Sequence, residues 1–480
     1  MQNSEINVSL ENVYKRVSAI DPLSKPEYRQ YDEIAFARLF SDIFGDIIRY
    51  NVNAKSYMVY DGTRWALDIE NMKTEGYAKL FARALARYTY EKEDAAKDFV
   101  REVQRYGDCK KRRTLIADSR SYLHIKQLDL DSHLNLLNCK NGVLNLDTLE
   151  LQQHDPKLLL SKRAEFIYDP SAESNLFLRF MEDITMGDKE ISKYIQIALG
   201  YAITGTATQD KLFICYGNTT RNGKSTLLGT VDYLLGDYSA NINPESLARA
   251  KEYDGKSPNG DIARLHGIRF LQCSEPPKRM KLNIELVKRM TGGDKLTARH
   301  IFERDFEFYP TFTLFMNTNY LPIVLDQSLF ESNRVKVIEF RRHFEPHEQD
   351  TKLKQKLRST ENLSGIANWI IQGLKMYHEQ GDMLNDPESV INSTAEYMNN
   401  SDKLKSFIAD RMTQDEYGVI SAKSVYEEYA RWCKDNGFGV ENKSNFFNDL
   451  RNKNLLYDTG TIRGNTVRNV VKGYTIDYIL

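Results

Sequence analysis

Lys211-Leu212-Phe213-Ile214-Cys215-Tyr216 is an apolar run of strand length that leads directly into Gly217-Asn218-Thr219-Thr220-Arg221-Asn222-Gly223-Lys224-Ser225-Thr226. A helical stretch follows, Leu227 to Leu235, closed by Gly236. Strand, glycine-bearing loop ending in Gly-Lys-Ser, then helix is the context that defines a P-loop. Consecutive backbone N–H groups and the positive end of the helix face the phosphates, and Gly223 permits their close approach. Lys224 adds a point charge, and the Ser225 hydroxyl is a candidate Mg²⁺ ligand. Five residues separate Gly217 from Gly223, against four in the general pattern. Either the loop carries one extra residue, or Asn218 takes the place of the first glycine, since Asn tolerates left-handed geometry.

A phosphate cradle of this kind needs an acid on a neighbouring strand to hold the metal shell and orient water. His266 to Cys273 reads as an apolar strand running into Ser274-Glu275, and Pro276-Pro277 forbids its continuation. Glu275 is the sole acid there, so it serves both metal and water; a solvated strand-end glutamate is the competing reading. Thr311 to Thr318 is another strand, ending at Asn319, which is placed to bond a terminal phosphate or the water. A plain turn starter before Tyr320-Leu321-Pro322 is its rival. Arg334 precedes the apolar strand Val335 to Phe340, where an arginine can enter a neighbouring subunit's site. Arg341 and Arg342 compete for that role, as does a surface ion pair. From Lys211 to Phe340 short apolar strands alternate with helical segments, the pattern of an α/β domain with a largely parallel sheet.

The 480 residues are 41% hydrophobic and 28% charged, with 26 Gly and 12 Pro, which excludes a collagenous or wholly disordered chain and leaves room for several domains. No apolar run approaches the ~20 residues that a bilayer crossing needs. The start, Met1-Gln2-Asn3-Ser4-Glu5, lacks the basic and apolar regions of a secretion signal. Five scattered Cys form no C-x-x-C pair, so a reducing, cytoplasmic setting is expected. Net charge is -1, so nucleic-acid contact has to come from local patches.

Five regions are expected. Residues 1–125 form a mixed α/β domain, mainly helical, with a hairpin around Asp61-Gly62 and a long helix from Lys73 to Val103. Its basic run Lys110-Lys111-Arg112-Arg113 reads as a solvated helix face, with phosphate contact as the alternative. Residues 126–205 begin with strands around the Asn141-Gly142 turn and end in helices. Residues 206–345 carry the phosphate chemistry, and 346–400 form a helical connector. Residues 401–480 read as three helices and a hairpin with a basic, Gly-bearing tip, the order of a winged helix. Lys443, Arg451 and Arg463 there, with Lys453 and Arg468, are candidates for DNA phosphates; protein contact is the competing reading.

Taken together, Gly217–Thr226, Glu275, Lys288-Arg289-Met290-Thr291-Gly292-Gly293-Asp294 and Asn317-Thr318-Asn319 resemble in order and spacing the superfamily 3 helicases. The branch is that of phage, plasmid and poxvirus primase-helicases. Upstream, Asn141-Gly142-Val143-Leu144, Asp169-Pro170 and Leu199-Gly200-Tyr201 resemble the domain preceding that family's ATPase. The resemblance implies an AAA+ core, a homo-hexameric ring, ATP and Mg²⁺, and movement along single-stranded or forked DNA. It assigns Lys224 and Ser225 to the P-loop, Glu275 to the acidic motif, Asn319 to the sensor and Arg334 to the finger. It also implies a channel hairpin within Leu296–Phe308, with Arg299, His300 and Arg304 gripping a DNA backbone. The longer loop bears on nucleotide preference, and Ser274-Glu275 in place of two adjacent acids leaves the metal with fewer charges. The ~130 residues upstream carry no compact acidic cluster, so the expectation is a helicase without primase, primed by another protein and partnered by a separate primase or replication initiator. An ATP-switched origin-binding initiator and a protein-remodelling ATPase are the alternatives.

Overall fold

The computed structural model describes residues 8–92, 95–248, 260–278, 280–298, 306–324, 326–436 and 439–476. The chain divides into two compact units, one formed by Met1–Pro322 with Asn333–Val390 and the other by Ile323–Ser332 with Ile391–Leu480.

The first unit begins with α1 (Leu10–Ile20), α2 (Glu33–Phe44), β1 (Ile48–Asn51), β2 (Ser56–Tyr60), β3 (Trp65–Leu67), α3 (Met72–Glu91), α4 (Lys97–Arg105), α5 (Cys109–Leu123) and β4 (His124–Ile125). Ser9 and Asp32 cap α1 and α2 by accepting amide hydrogen bonds. Phe36, Phe40, Phe44, Phe81 and Phe99, drawn from α2, α3 and α4, form an aromatic core behind the sheet β3-β2-β1-β4. The expected hairpin around Asp61-Gly62 is present as β2 and β3. The single helix expected from Lys73 to Val103 is two: α3 ends where the apolar phase gives way to Glu91-Lys92-Glu93-Asp94, and Lys92 is extended. The basic run on α5 is a solvated face only in part: Lys110 and Arg113 are exposed, whereas Lys111 and Arg112 are held by other parts of the chain. Lys111 is buried and pairs with Glu33 and Glu102, each at 2.6 Å, while Arg112 donates to the carbonyls of Tyr106 and Gly107. Glu102 is held below the usual carboxylate range: burial works to raise it, but the bonds from Lys111 and Arg105 prevail.

Next come β5 (Leu136–Cys139), β6 (Gly142–Asn145) and β7 (Leu151–Gln152), a three-stranded antiparallel sheet, then α6 (Asn175–Ile184) and α7 (Lys189–Ala202). The sheet that positions the site is built from β8 (Leu212–Tyr216), β9 (Ser239–Ile242), β10 (Phe270–Ser274), β13 (Thr313–Thr318) and β14 (Val335–Glu339). α8 (Lys224–Leu235) follows β8, and α9 (Gly260–Ala263) precedes β10. α10 (Ile284–Thr291) and the antiparallel pair β11 (Leu296–Ala298) and β12 (Phe306–Phe308) lie between β10 and β13. The order is β14-β8-β13-β10-β9, with every neighbouring pair parallel, as the alternating pattern predicts. Phe213 and Phe315 stack across it at 4.9 Å, with Phe270 at the same distance beyond. Leu357, Ile366 and Ile370, from α12 (Leu353–Leu357) and α13 (Thr360–Glu379), join this core, so these helices belong to the same compact unit as the sheet.

The second unit contains α11 (Ser328–Glu331), most of α14 (Glu388–Ser401), α15 (Lys403–Arg411), β15 (Met412–Ser421), α16 (Ala422–Asp435), α17 (Lys443–Asn452), β16 (Leu456–Ile462) and β17 (Asn465–Ile476). Phe407, Val425, Tyr429, Trp432, Phe446 and Leu450 form its core. The three expected helices and the terminal hairpin are present. β15, absent from the expectation, adds an edge strand to give the order β15-β17-β16. Its sequence MTQDEYGVIS lacks the apolar alternation that marks a strand, because an edge strand buries little of either face.

Candidate phosphate-binding site

β8, β13 and β10 run side by side in register, with Ser274 opposite Asn317 and Asn317 opposite Cys215. Their C-terminal ends therefore bring Gly217, Asn319 and Glu275 to one edge of the sheet. Ligands of open parallel sheets bind at that edge.

Gly217 is required by close approach: a Cβ there would lie 2.2 Å from Asn222 Nδ2, 2.8 Å from Lys224 Nζ and 2.8 Å from the Phe340 carbonyl. Positive φ within the loop falls at Arg221 (57°) and Gly223 (86°), not at Asn218. Of the two readings of the long spacing, the one that gives Asn218 a left-handed backbone is therefore set aside. Phe340 N–H donates to Tyr216 O and Phe344 N–H to Arg221 O, so the segment after β14 braces the loop from outside. The Arg221 side chain turns away to Gln349 Oε1 at 2.9 Å. Asn222 Nδ2 closes the loop on Thr219 O at 2.7 Å.

α8 starts at Lys224 with Gly223 as its N-cap, and no side chain caps it. Its first amides are left for an external acceptor, at the positive end of the helix dipole. The Thr219 hydroxyl is buried with no hydrogen-bond partner among the described residues. An uncapped helix start, an orphaned hydroxyl and a floor that only glycine fits suit a polyphosphate. Lys224 is 3% exposed, and its Nζ donates to Asn319 Oδ1 at 2.9 Å. Desolvation lowers its pKa to about 8, with Cys215 and Glu275 acting in the opposite direction. Glu275 is exposed at the end of β10 in a left-handed backbone (φ 53°), held by its N–H to Asn317 O at 2.8 Å. A non-glycine residue in that conformation is locally strained.

Asn317 is a residue the sequence reading left without a role. It is 4% exposed and donates through Nδ2 to Ser225 Oγ at 3.0 Å, fixing the hydroxyl next to the lysine. The signal was present: Asn317 and Asn319 are two apart, and residues two apart on a strand share a face. No group of three or more His, Cys, Asp or Glu among the described residues could by itself hold a metal ion. Ser225 and Glu275 are the donors available, which suits Mg²⁺, an ion usually held by one or two protein ligands with phosphates and water.

Arg334 sits elsewhere. β14 runs parallel to β8, with Val335 opposite Leu212, so Arg334 lies at the N-terminal edge of the sheet, about 17 Å of strand from the loop. It is engaged within its own chain, with Asp210 at 3.1 Å, Thr291 Oγ1 at 3.0 Å and the Lys288 carbonyl at 3.3 Å. Arg341 pairs with Glu339, and Arg342 with Glu348. Arg299, His300 and Arg304 lie outside the described residues; β11 and β12, which flank them, pair from Leu296↔Phe308 to Ala298↔Phe306. Lys443 opens α17 beside the Phe447 ring, Arg451 bonds Asn448 in its last turn, and Arg463 occupies the tight turn between β16 and β17. Lys453 is tied to Asp402.

Two family models match the chain: "D5 N terminal like" over residues 37–186 and "Poxvirus D5 protein-like" over residues 399–478. "Putative helicase L207/L206" of Acanthamoeba polyphaga mimivirus is 27% identical over 349 residues, 68% of this chain and 35% of that protein. Over the two stretches that the family models match, the chain carries D5 primase-helicase family domains. "Putative helicase V13" of Sputnik virophage is 25% identical over 268 residues, 52% of this chain and 34% of its own length. This chain thus spans about a third of the length of these curated relatives. Among solved structures, the A form apo C-terminal region of NrS-1 matches over 92% of this chain and 100% of its own at 10% identity and a TM-score of 0.49. No helix among the described residues is long and apolar enough to cross a membrane.

Proposed function

We propose that this chain is the ATP-hydrolysing motor of a DNA helicase that works in replication as a ring of identical subunits. The observation that carries the reading is the constellation at the sheet edge: an uncapped α8 N-terminus, Lys224 bonded to Asn319, Ser225 oriented by Asn317, and Glu275 on the adjacent strand. In it the α8 amides and Lys224 bind and orient the β- and γ-phosphates of ATP. Bound Mg²⁺ would neutralise phosphate charge, held by Ser225 and Glu275. Glu275 takes a proton from the attacking water and positions it, while Asn319 releases Lys224 to the phosphates and bonds the water or the leaving phosphate. Arg334 lies at the opposite sheet edge from its own loop, so in this reading it serves a neighbouring subunit, exchanging its contacts to Asp210 and Thr291 for that subunit's phosphates. The AAA+ description of the sheet and the winged-helix description of the C-terminal unit, whose α-β-α-α-β-β order it matches, belong to the same reading.

The test is ATPase rate with and without single-stranded DNA, beside a strand-displacement assay. Wild type is expected to be stimulated by the strand and to unwind a fork. Lys224→Ala is expected to lose nucleotide binding, whereas Glu275→Gln keeps binding and loses about 10²–10⁴ in turnover, the range of a general base. A wild type that binds forks tightly but displaces no strand, with an ATPase indifferent to DNA, would favour an ATP-switched initiator instead.

A further inference from the structure

The N-terminal part of the first unit contains an open groove of about 910 Å³ that the phosphate chemistry does not use. One wall is α3. Lys73, Tyr77, Leu80 and Arg83 line it at helical spacing, with Lys79 on the adjoining row. A Cβ added at Gly76 meets nothing within 4 Å, so the groove runs open across that turn.

The charge in this groove is one-sided. Lys73, Lys79 and Arg83 are exposed, and none of their side chains makes an ion pair or hydrogen bond among the described residues. That is unlike their neighbours: Arg87, one turn further along α3, holds Glu11 and Glu91, and Lys111 holds Glu33 and Glu102. Asp61, the acid in the lining, is already committed to the Thr63 and Arg64 amides, the Thr63 hydroxyl and the Arg64 side chain. Lys73 and Arg83 are ten residues apart, about 15 Å along the helix axis. The Tyr77 ring, packed against Phe44 at 5.5 Å, adds an aromatic surface to the same wall.

We propose that this groove binds the sugar-phosphate backbone of single-stranded DNA, a third contact besides the hairpin and the C-terminal unit. The choice of DNA as the polymer rests on the motor reading above. A concave, cationic channel with an aromatic wall receives a thin, flexible strand, whereas a duplex is engaged by elements that project into its grooves. Three unpaired cations along one helix bind phosphates without reading sequence.

The test is binding of a fluorescent oligodeoxythymidylate, without nucleotide, across a range of salt concentrations. The variant Lys73→Gln/Lys79→Gln/Arg83→Gln is compared with wild type and with Lys193→Gln/Lys354→Gln/Lys375→Gln, which removes as much charge from other exposed helical sites. The groove variant is expected to bind about tenfold more weakly at low salt and to lower the log–log salt slope by about 2, as three phosphate contacts at about 0.7 each require. Each single substitution lowers the slope by about 0.7, so the proposal stays testable if the triple variant melts early. Affinity and slope matching wild type, an equal loss in the control variant, or competition by blunt duplex as strong as by single strand overturns it. The two readings separate cleanly: a DNA-stimulated ATPase with an unchanged slope refutes the groove alone, and a groove-dependent slope in a protein that hydrolyses no ATP refutes the motor alone.

Discussion

Lys224 keeps its ammonium in a place that disfavours it, with Asn319 as its hydrogen-bond partner and Glu275 near enough to help. Its pKa, lowered to about 8 chiefly by desolvation, has two consequences of opposite sign. Between about 8 and its ordinary 10.5, the unfolded chain holds a proton that the nucleotide-free native state has lost, so stability rises with pH across that window. Phosphate binding needs the charged form, so affinity for a non-hydrolysable ATP analogue is expected to fall by about tenfold per pH unit above about 8. Isothermal titration over that range checks it; an affinity flat to pH 10 would mean that Lys224 stays charged without ligand. Lys224→Met should remove the pH dependence and raise the melting temperature of the free protein, because a buried charge with a neutral partner is replaced by an apolar chain of similar length.

Among the elements, β10 is tied to the strands before it by Arg269, which is buried with no carboxylate in ion-pair contact among the described residues. Its guanidinium donates to the Ile203 and Leu136 carbonyls and lies 4.8 Å over the Tyr238 ring. These bonds attach the strand that ends at Glu275 to α7's exit and to β5. Arg269→Ala is expected to cost about 3–5 kcal/mol, from two lost charge-assisted bonds, two orphaned carbonyls and a cavity. Arg269→Lys recovers only part, since an ammonium lacks the planar fork. Urea melts measure both; a cost within the ~0.5 kcal/mol of a surface change would show that the carbonyls find other partners. Sequence periodicity placed β10 but not this tie, because Arg269 precedes the strand and its partners lie 66 and 133 residues away.

At the scale of the whole molecule, the separation of Arg334 from its own Lys224, at opposite edges of one sheet, makes the proposed site incomplete in a lone chain. ATPase per chain is therefore expected to rise steeply with protein concentration as rings assemble, and to be low in the dilute monomer. Mass photometry beside the rate assay tests this; monomers turning over as fast per site as assembled rings would end the shared-site mechanism. Arg334→Ala has a double cost, since it also frees the C-terminal end of α10, where Arg334 meets Lys288 O and Thr291.

Local chemistry was legible in the sequence wherever a residue's role depends on its immediate neighbours. The Gly217–Thr226 loop, the strand stop at Glu275 before two prolines, the amides closing β13 and the parallel sheet follow from backbone geometry and short-range periodicity. The tertiary structure alone decided which partners each side chain meets. It gave Asn317 a hold on Ser225, drew Lys111 out of a basic run to buried Glu102 and exposed Glu33, broke one expected helix into α3 and α4, and set Arg334 against Asp210. The physical reason is range. Propensity and turn chemistry act over a few residues, whereas ion pairs, buried hydrogen bonds and edge strands depend on surfaces brought together from distant parts of the chain.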